Sequence, residues 1–279
     1  MKQPLAKRAR AHAANLSLSS LLVLIYALPL YVAISLSLKD ITDQSSLLSL
    51  PTAPTWDNYI KVFADGTIGR AIFNTAVITA LTVLLQVVIA GMAAYPLARR
   101  KTRFNRWIQS GFLSVLMIPP LSILVGVYST MVALHAISTY WGIIIILVAF
   151  GLPFPIYIFA NFIVSIPISL DEAAELDGCG PIRTFFLIIA PQLRPVIVSV
   201  VILNGVGTWN EYGYALYLLQ KREMYTVTLE ISQYFSASSA SNLNGAAAAA
   251  IVVILPLVVA YLALQKYFIK GALDAALKG

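Results

Sequence analysis

The stretch Ser169–Pro195, SLDEAAELDGCGPIRTFFLIIAPQLRP, decides how this chain is read. Four carboxylates, Asp171, Glu172, Glu175 and Asp177, fall within seven positions, and the run then breaks at Gly178. Nearly everything around it is apolar. The chain of 279 residues is 59% hydrophobic and 11% charged, with mean hydropathy +0.82, whereas a soluble domain carries about 25% charged residues. That composition describes a polytopic membrane protein. Helices are the expected spans, because the bilayer leaves backbone polar groups no partner outside their own segment.

Working outward from the acidic stretch, six spans of about 20 residues fit: Leu16–Leu38, Ala71–Leu97, Trp107–Leu134, Trp141–Phe162, Val196–Leu219 and Asn244–Phe268. The first, preceded by Lys2, Lys7, Arg8 and Arg10, is too long for the apolar core of a signal peptide, and no small-residue cleavage site follows it. An even number of spans puts both termini on one side. With that topology, fourteen of the 19 Lys and Arg residues lie on the side of the termini and the 163–195 loop, five on the other. The excess of cations marks the cytoplasm, so both termini and the acidic stretch are expected there. The same distribution accounts for the net charge of +7 without nucleic acid. Trp107 and Trp141 are expected at the membrane interfaces. The single cysteine, Cys179, excludes an internal disulfide, and two isolated histidines, His12 and His135, offer no metal cluster.

The expected organisation is a tail over 1–15, a first span with an external segment over 16–70, a five-helix core over 71–268 containing the 163–195 loop, and a second tail over 269–279. In the external segment, the prolines with Asp57 and Asn58 read as a turn before a short interfacial helix. The outer loop 220–243 is either a plain connector or a contact for an external partner. Pro119–Pro120, Pro153, Pro155 and Pro256 should bend their spans. Ala246–Ala250 is either a close helix contact or simply good helix former.

Within the acidic stretch, Ser169 and Glu172 have the spacing of a capping box, and Asp171 and Glu172 sit where the helix dipole favours negative charge. Gly178 suits the left-handed position that ends a helix. Gly180 and Pro181 can open a second helix, which Pro191 should stop. The expected product is two short helices around a small-residue elbow formed by Ala173, Ala174 and Gly178.

This stretch resembles the EAA loop of permease subunits in binding-protein-dependent ABC importers. The match runs through Glu172, Ala173, Ala174, Gly178, Ile188 and Pro191, and departs at Cys179, where alanine is common, and Ala190, where leucine is usual. The segments PTWDNYIKVF (54–63), Phe73-Asn74-Thr75, WNEYGYAL (209–216) and QKYFIKGALDAALKG (265–279) are similar to the maltose-transporter-type carbohydrate permeases, with Ala275 in place of a glycine. The resemblance implies an all-α, six-span type I importer permease fold in the plasma (inner) membrane of a bacterium or archaeon. It implies that Glu172, Ala173, Ala174, Asp177, Gly178 and Pro191 belong to a coupling helix docked on an ATPase. It also implies a second permease, a different chain, two ATPase subunits carrying ATP and Mg²⁺, and an extracytoplasmic solute-binding protein. The sequence has no G-x-x-x-x-G-K-[ST], so this chain is expected to be non-catalytic and to bind no cofactor itself. The expected substrate is a sugar; a non-sugar solute such as glycerol phosphate, or an ion-coupled secondary transporter, is the alternative.

Glu211 is the second feature. An ionisable residue in a span costs at least about 2.5 kcal/mol at the bilayer centre and faces protein or water. With Trp209, Asn210 and Tyr212 it can offer a sugar both ring faces and hydrogen-bonding groups, as part of the translocation path or a gate. The alternative, favoured because a structural role would serve many substrates, is an interfacial Glu bonded to a neighbouring helix or the partner permease.

Overall fold

Long apolar runs interrupted by proline and glycine become helices that start, bend and restart at those residues. The structure, a computed structural model, describes residues 5–64, 66–235 and 242–276, and no strand occurs among them. The helices are α1 (Leu5–Ser37), α2 (Asp57–Ala64), α3 (Thr67–Arg99), α4 (Arg103–Val115), α5 (Leu124–Ala133), α6 (Tyr140–Gly151), α7 (Pro153–Ser165), α8 (Ser169–Leu176), α9 (Pro181–Thr184), α10 (Ala190–Gln192), α11 (Arg194–Trp209), α12 (Gly213–Leu218), α13 (Val227–Gln233) and α14 (Leu243–Ala276). Among the described residues three helices are long and apolar enough to span unaided, over Asn15–Ser37, Thr67–Arg99 and Leu243–Gln265, and three bent pairs bring the total to as many as six if each pair is one span.

Pro119–Pro120 and Pro153 act more strongly than as kinks, whereas Pro256 lies inside the continuous helix α14. Between α4 and the segment Pro120–Ala133 the chain turns by 94°, and between α6 and α7 by 45°. Each break arises from a ring that cannot donate to the preceding turn and clashes with it. The fifth span departs from its expected bounds. Helix α11 ends at Trp209, and the rest of the expected span holds a separate helix, α12, which ends at Leu218. The residues before the first span are themselves helical from Leu5, and the span within α1 covers Asn15–Ser37. At the other end α14 runs through Ala275, so no turn forms there. Residues 236–241 of the outer loop and 277–279 of the tail lie outside the described residues.

The chain forms two compact units, residues 1–68 with 231–254 and residues 69–230 with 255–279. In the first, the C-terminal carbonyls of α1 are satisfied by side chains. Asn58 Nδ2 donates to the carbonyls of Ser37 and Lys39 at 3.0 and 2.8 Å, and Asn244 Nδ2 donates to those of Lys39 and Asp40. Asp57 and Asn58, expected in a turn, are the first two residues of α2. Lys39 is buried, and its ammonium donates to Ser45 Oγ, the Ser46 carbonyl and Ser49 Oγ. Hydrogen bonds from Ser45 and Thr52 hold the half-buried Asp43 carboxyl below the usual carboxylate range. Ala246, Ala248 and Ala249 are buried.

In the second unit α3 is the spine. Near its start Ile78 belongs to a core with α5, α6, α12 and α13. Near its end Ala90, Ala94, Leu97 and Ala98 pack with Ile156, Phe159, Ala160 and Ile163 of α7 and with Phe185, Ile189 and Leu193. Alanines at every fourth position let α7 approach closely. Polar side chains tie the spine to its neighbours. Asn74 accepts from Tyr140 Oη and donates to the carbonyls of Glu223 and Tyr225. Gln86 donates to the Leu147 carbonyl and accepts from Asn204 at 2.7 Å.

Candidate functional site: an elbow between helices and a break beyond Trp209

Helix α8 starts differently from the expected capping box. Ser169 lies one residue inside the helix, the preceding Ile168 is already in the right-handed helical conformation, and no side chain caps the end. The first amides bond to backbone instead: Leu170 to the Pro167 carbonyl, Asp171 and Glu172 to that of Ile168. With the turn already closed from Pro167, Ser169 has no orphan amide to cap.

The end of α8 is as the sequence predicts. Gly178 has φ +79°. Its amide donates to the Glu175 carbonyl and the Cys179 amide to that of Ala174, the paired bonds of a Schellman motif. Gly180 then caps α9 and Pro181 opens it. Pro191, expected to stop this second helix, does not. Phe185–Ile189 forms a π turn, in which the Ala190 amide reaches back to the Phe185 carbonyl. The helical path continues through Pro191 to Gln192 and breaks by 75° only before α11. The wider turn shifts the hydrogen-bond register just ahead of the proline, where a missing donor would otherwise interrupt the ladder.

The elbow surface also differs from the small-residue patch anticipated. Ala174 is buried, 4% exposed, so it packs inward. Glu172, Ala173, Glu175, Asp177 and Gly178 are exposed, and Leu176 at the tip is 90% exposed. Leu176 was missed because a leucine in an amphipathic helix reads as core.

Asp171 does more than complement a dipole. Arg99 Nη2 donates to its Oδ2 at 2.7 Å, Tyr95 Oη donates to its Oδ1 at 2.6 Å, and Arg99 Nη1 donates to the carbonyls of Ile163 and Ile166 at 3.0 Å each. The paired side chains are only 13% and 15% exposed. In the sequence Arg99 is one of the cations between the second and third expected spans, counted only for its charge. A usable signal was there: Tyr95 and Arg99, four apart, share one helix face, and an acid lies in a loop on the same side.

The second candidate group does not converge. Trp209 is buried and borders a cavity of about 500 Å³ lined by α3, α11 and residues 256–264 of α14. The cavity wall is almost wholly apolar, and Thr79 is among its few polar residues. Asn210 Nδ2 folds back onto the Val206 carbonyl, and Tyr212 is exposed. Glu211 turns away from the cavity: its Oε1 accepts from the Tyr214 amide at 2.7 Å and its Oε2 from the Ala215 amide at 2.9 Å. These are first-turn amides of α12, which have no partner within the helix. Its own carbonyl accepts from Thr228 Oγ1, and Tyr214 Oη donates to the Pro120 carbonyl at the break of the third span.

Comparison with known proteins places this geometry. Residues 86–273 match the model of the binding-protein-dependent transport system inner membrane component. The melibiose/raffinose/stachyose import permease MelC of Bacillus subtilis is 35% identical over 263 residues, covering 94% of this chain and 95% of that one. The trehalose transport permease SugB of Mycobacterium tuberculosis is 31% identical over 260 residues, covering 92% and 95%. Among solved structures, a bacterial ABC transporter involved in the import of the acidic polysaccharide alginate superposes with a TM-score of 0.82, covering 96% of this chain and 99% of that one, at 21% identity. The chain is a membrane-spanning member of the binding-protein-dependent transport system inner membrane component family, a transport permease subunit.

Proposed function

We propose that the chain forms half of the translocation path of an ATP-driven sugar importer, and that the α8–α9 elbow is its contact with a separate ATPase subunit. The observation that carries this is the elbow itself. It is a turn, fixed at Gly178 and held to α3 through Asp171, whose tip presents Leu176, 90% exposed, between the exposed carboxylates Glu175 and Asp177, with Ile182 of α9 also exposed. Such a tip has the anatomy of an interface anchor, an apolar centre with a polar rim. The positive-inside distribution supports a cytoplasmic position for the elbow and both termini. ATP and Mg²⁺ then belong to the ATPase subunits. The apolar residues of α1, wholly unburied over its spanning window, suit lipid or a second permease chain, and an extracytoplasmic binding protein delivers the solute. Relatives named for melibiose and raffinose, trehalose and maltodextrin support a sugar substrate.

The test is reconstitution of the permease pair, ATPase and binding protein in liposomes with radiolabelled raffinose, trehalose and maltodextrin. The expected result is uptake of at least one sugar that needs ATP inside and binding protein outside. Uptake of any sugar by this chain alone, driven by an ion gradient, contradicts the assignment.

A further inference from the structure

We propose that Arg99 is the positioning residue that converts movement of the elbow into movement of α3 and α7. The inference rests on the reading of the elbow as the ATPase contact. The guanidinium sits where three elements end or begin: the C-terminus of α3, the last carbonyls after α7 and the first turn of α8. One Nη bonds the two carbonyls of Ile163 and Ile166, and the other bonds Asp171. Tyr95, one turn earlier on α3, fixes the second oxygen of Asp171. Both oxygens of this carboxylate in the first turn of α8 are thereby held by α3.

The remaining contacts of the elbow with α3 are of another kind. Phe185 packs on Tyr95 with ring centroids 5.7 Å apart, and its ring edge approaches Gly91. Apolar faces of this sort can slide over one another, as packed helices do in shear motions. The single charge-assisted bond from Arg99 to Asp171 and the bond from Tyr95 are directional, and sliding α8 over α3 would break them. A pull or push on α8 therefore reaches α3 through Asp171, and the same guanidinium carries it to the end of α7. Lysine cannot replace this geometry, since a single ammonium lacks the planar fork that spans acceptors on different elements.

The test uses the complete reconstituted complex, with radiolabelled raffinose uptake and ATP hydrolysis measured on the same vesicles. In Arg99→Gln and Asp171→Asn, hydrolysis persists while raffinose taken up per ATP falls about fivefold, within the range by which mutations change coupling between sites. Arg99→Lys shows a partial fall. Tyr95→Phe, which removes one hydroxyl and leaves the ion pair, lowers the ratio less and guards against loss of folding in the charge variants. A purely structural role predicts something else: uptake and hydrolysis fall together with the amount of assembled complex, and the ratio stays constant. That outcome overturns the proposal. Leu176→Glu separates it from the reading beneath. If this variant assembles and transports as the unaltered chain does, the elbow is not the contact. If it loses the ATPase while the Arg99 ratio is unchanged, the transmission role alone fails.

Discussion

The elbow at residues 169–181 and the break at residues 209–213 are made of similar parts, and they use their carboxylates differently. Each interrupts a long apolar helical path, and each places an acid beside the start of a short helix. At the break, Glu211 gives both oxygens to the amides of its own next helix. At the elbow, Asp171 gives both oxygens to side chains of α3, some 72 to 76 positions away in sequence. It thereby leaves Glu172, Glu175 and Asp177 exposed. The first arrangement closes a local structure; the second ties a protruding tip to the body of the protein. A carboxylate in an apolar chain marks a site only when its neighbourhood leaves something facing outward.

The contrast between the two acids can be broken in four places, from the largest expected effect to the smallest. Gly178→Glu puts an L side chain at φ +79°, a strain of about 1–2 kcal/mol, and changes the charge of the tip. Transport should fall on the order of tenfold at that strain, while membrane insertion, followed by fractionation, is unchanged. Normal uptake at normal expression would count against the elbow as coupler. Glu211→Ala leaves two first-turn amides of α12 without acceptors and should cost about 2 kcal/mol. Its signature is a lower thermal midpoint in detergent with an unchanged KM for transported sugar. A raised KM at unaltered stability would instead put Glu211 in the translocation path. Tyr214→Phe removes the bond to the Pro120 carbonyl and should lower stability by about 1 kcal/mol, read in the same thermal assay. Ser169→Ala should be neutral within about 0.5 kcal/mol, because Ser169 caps nothing. A clear loss of stability would show that the expected capping box forms after all.

Much of this was legible in the amino-acid sequence, and the parts that were not share a cause. Hydropathy located the spans, and Pro119–Pro120 and Pro153 located two of the breaks, because those signals are local and covalent. Gly178 was legible for the same reason: only a residue without Cβ enters the left-handed region readily. The break beyond Trp209 contains no proline. It is maintained by Glu211 capping α12 locally and by the Tyr214 bond to Pro120, 94 positions away, a contact that exists only once the chain has folded. Ser169 had the right spacing for a cap, yet the turn from Pro167 had already satisfied the amides it would have served. Pro191 looked like a stop, and the π turn before it absorbed the defect. Arg99 was the largest omission: its spacing from Tyr95 marks a shared helix face, but its partners lie 64 to 72 residues away in sequence.

Contact between the elbow tip and the ATPase is tested most directly at Leu176. With Cys179→Ser removing the sole cysteine, Leu176→Cys can carry a benzophenone maleimide and be irradiated in membranes that contain the full transporter. The expected result is a cross-linked product of this chain with the ATPase subunit, lost when that subunit is omitted. A label that reaches only lipid or the external binding protein, with the transporter assembled, would contradict it.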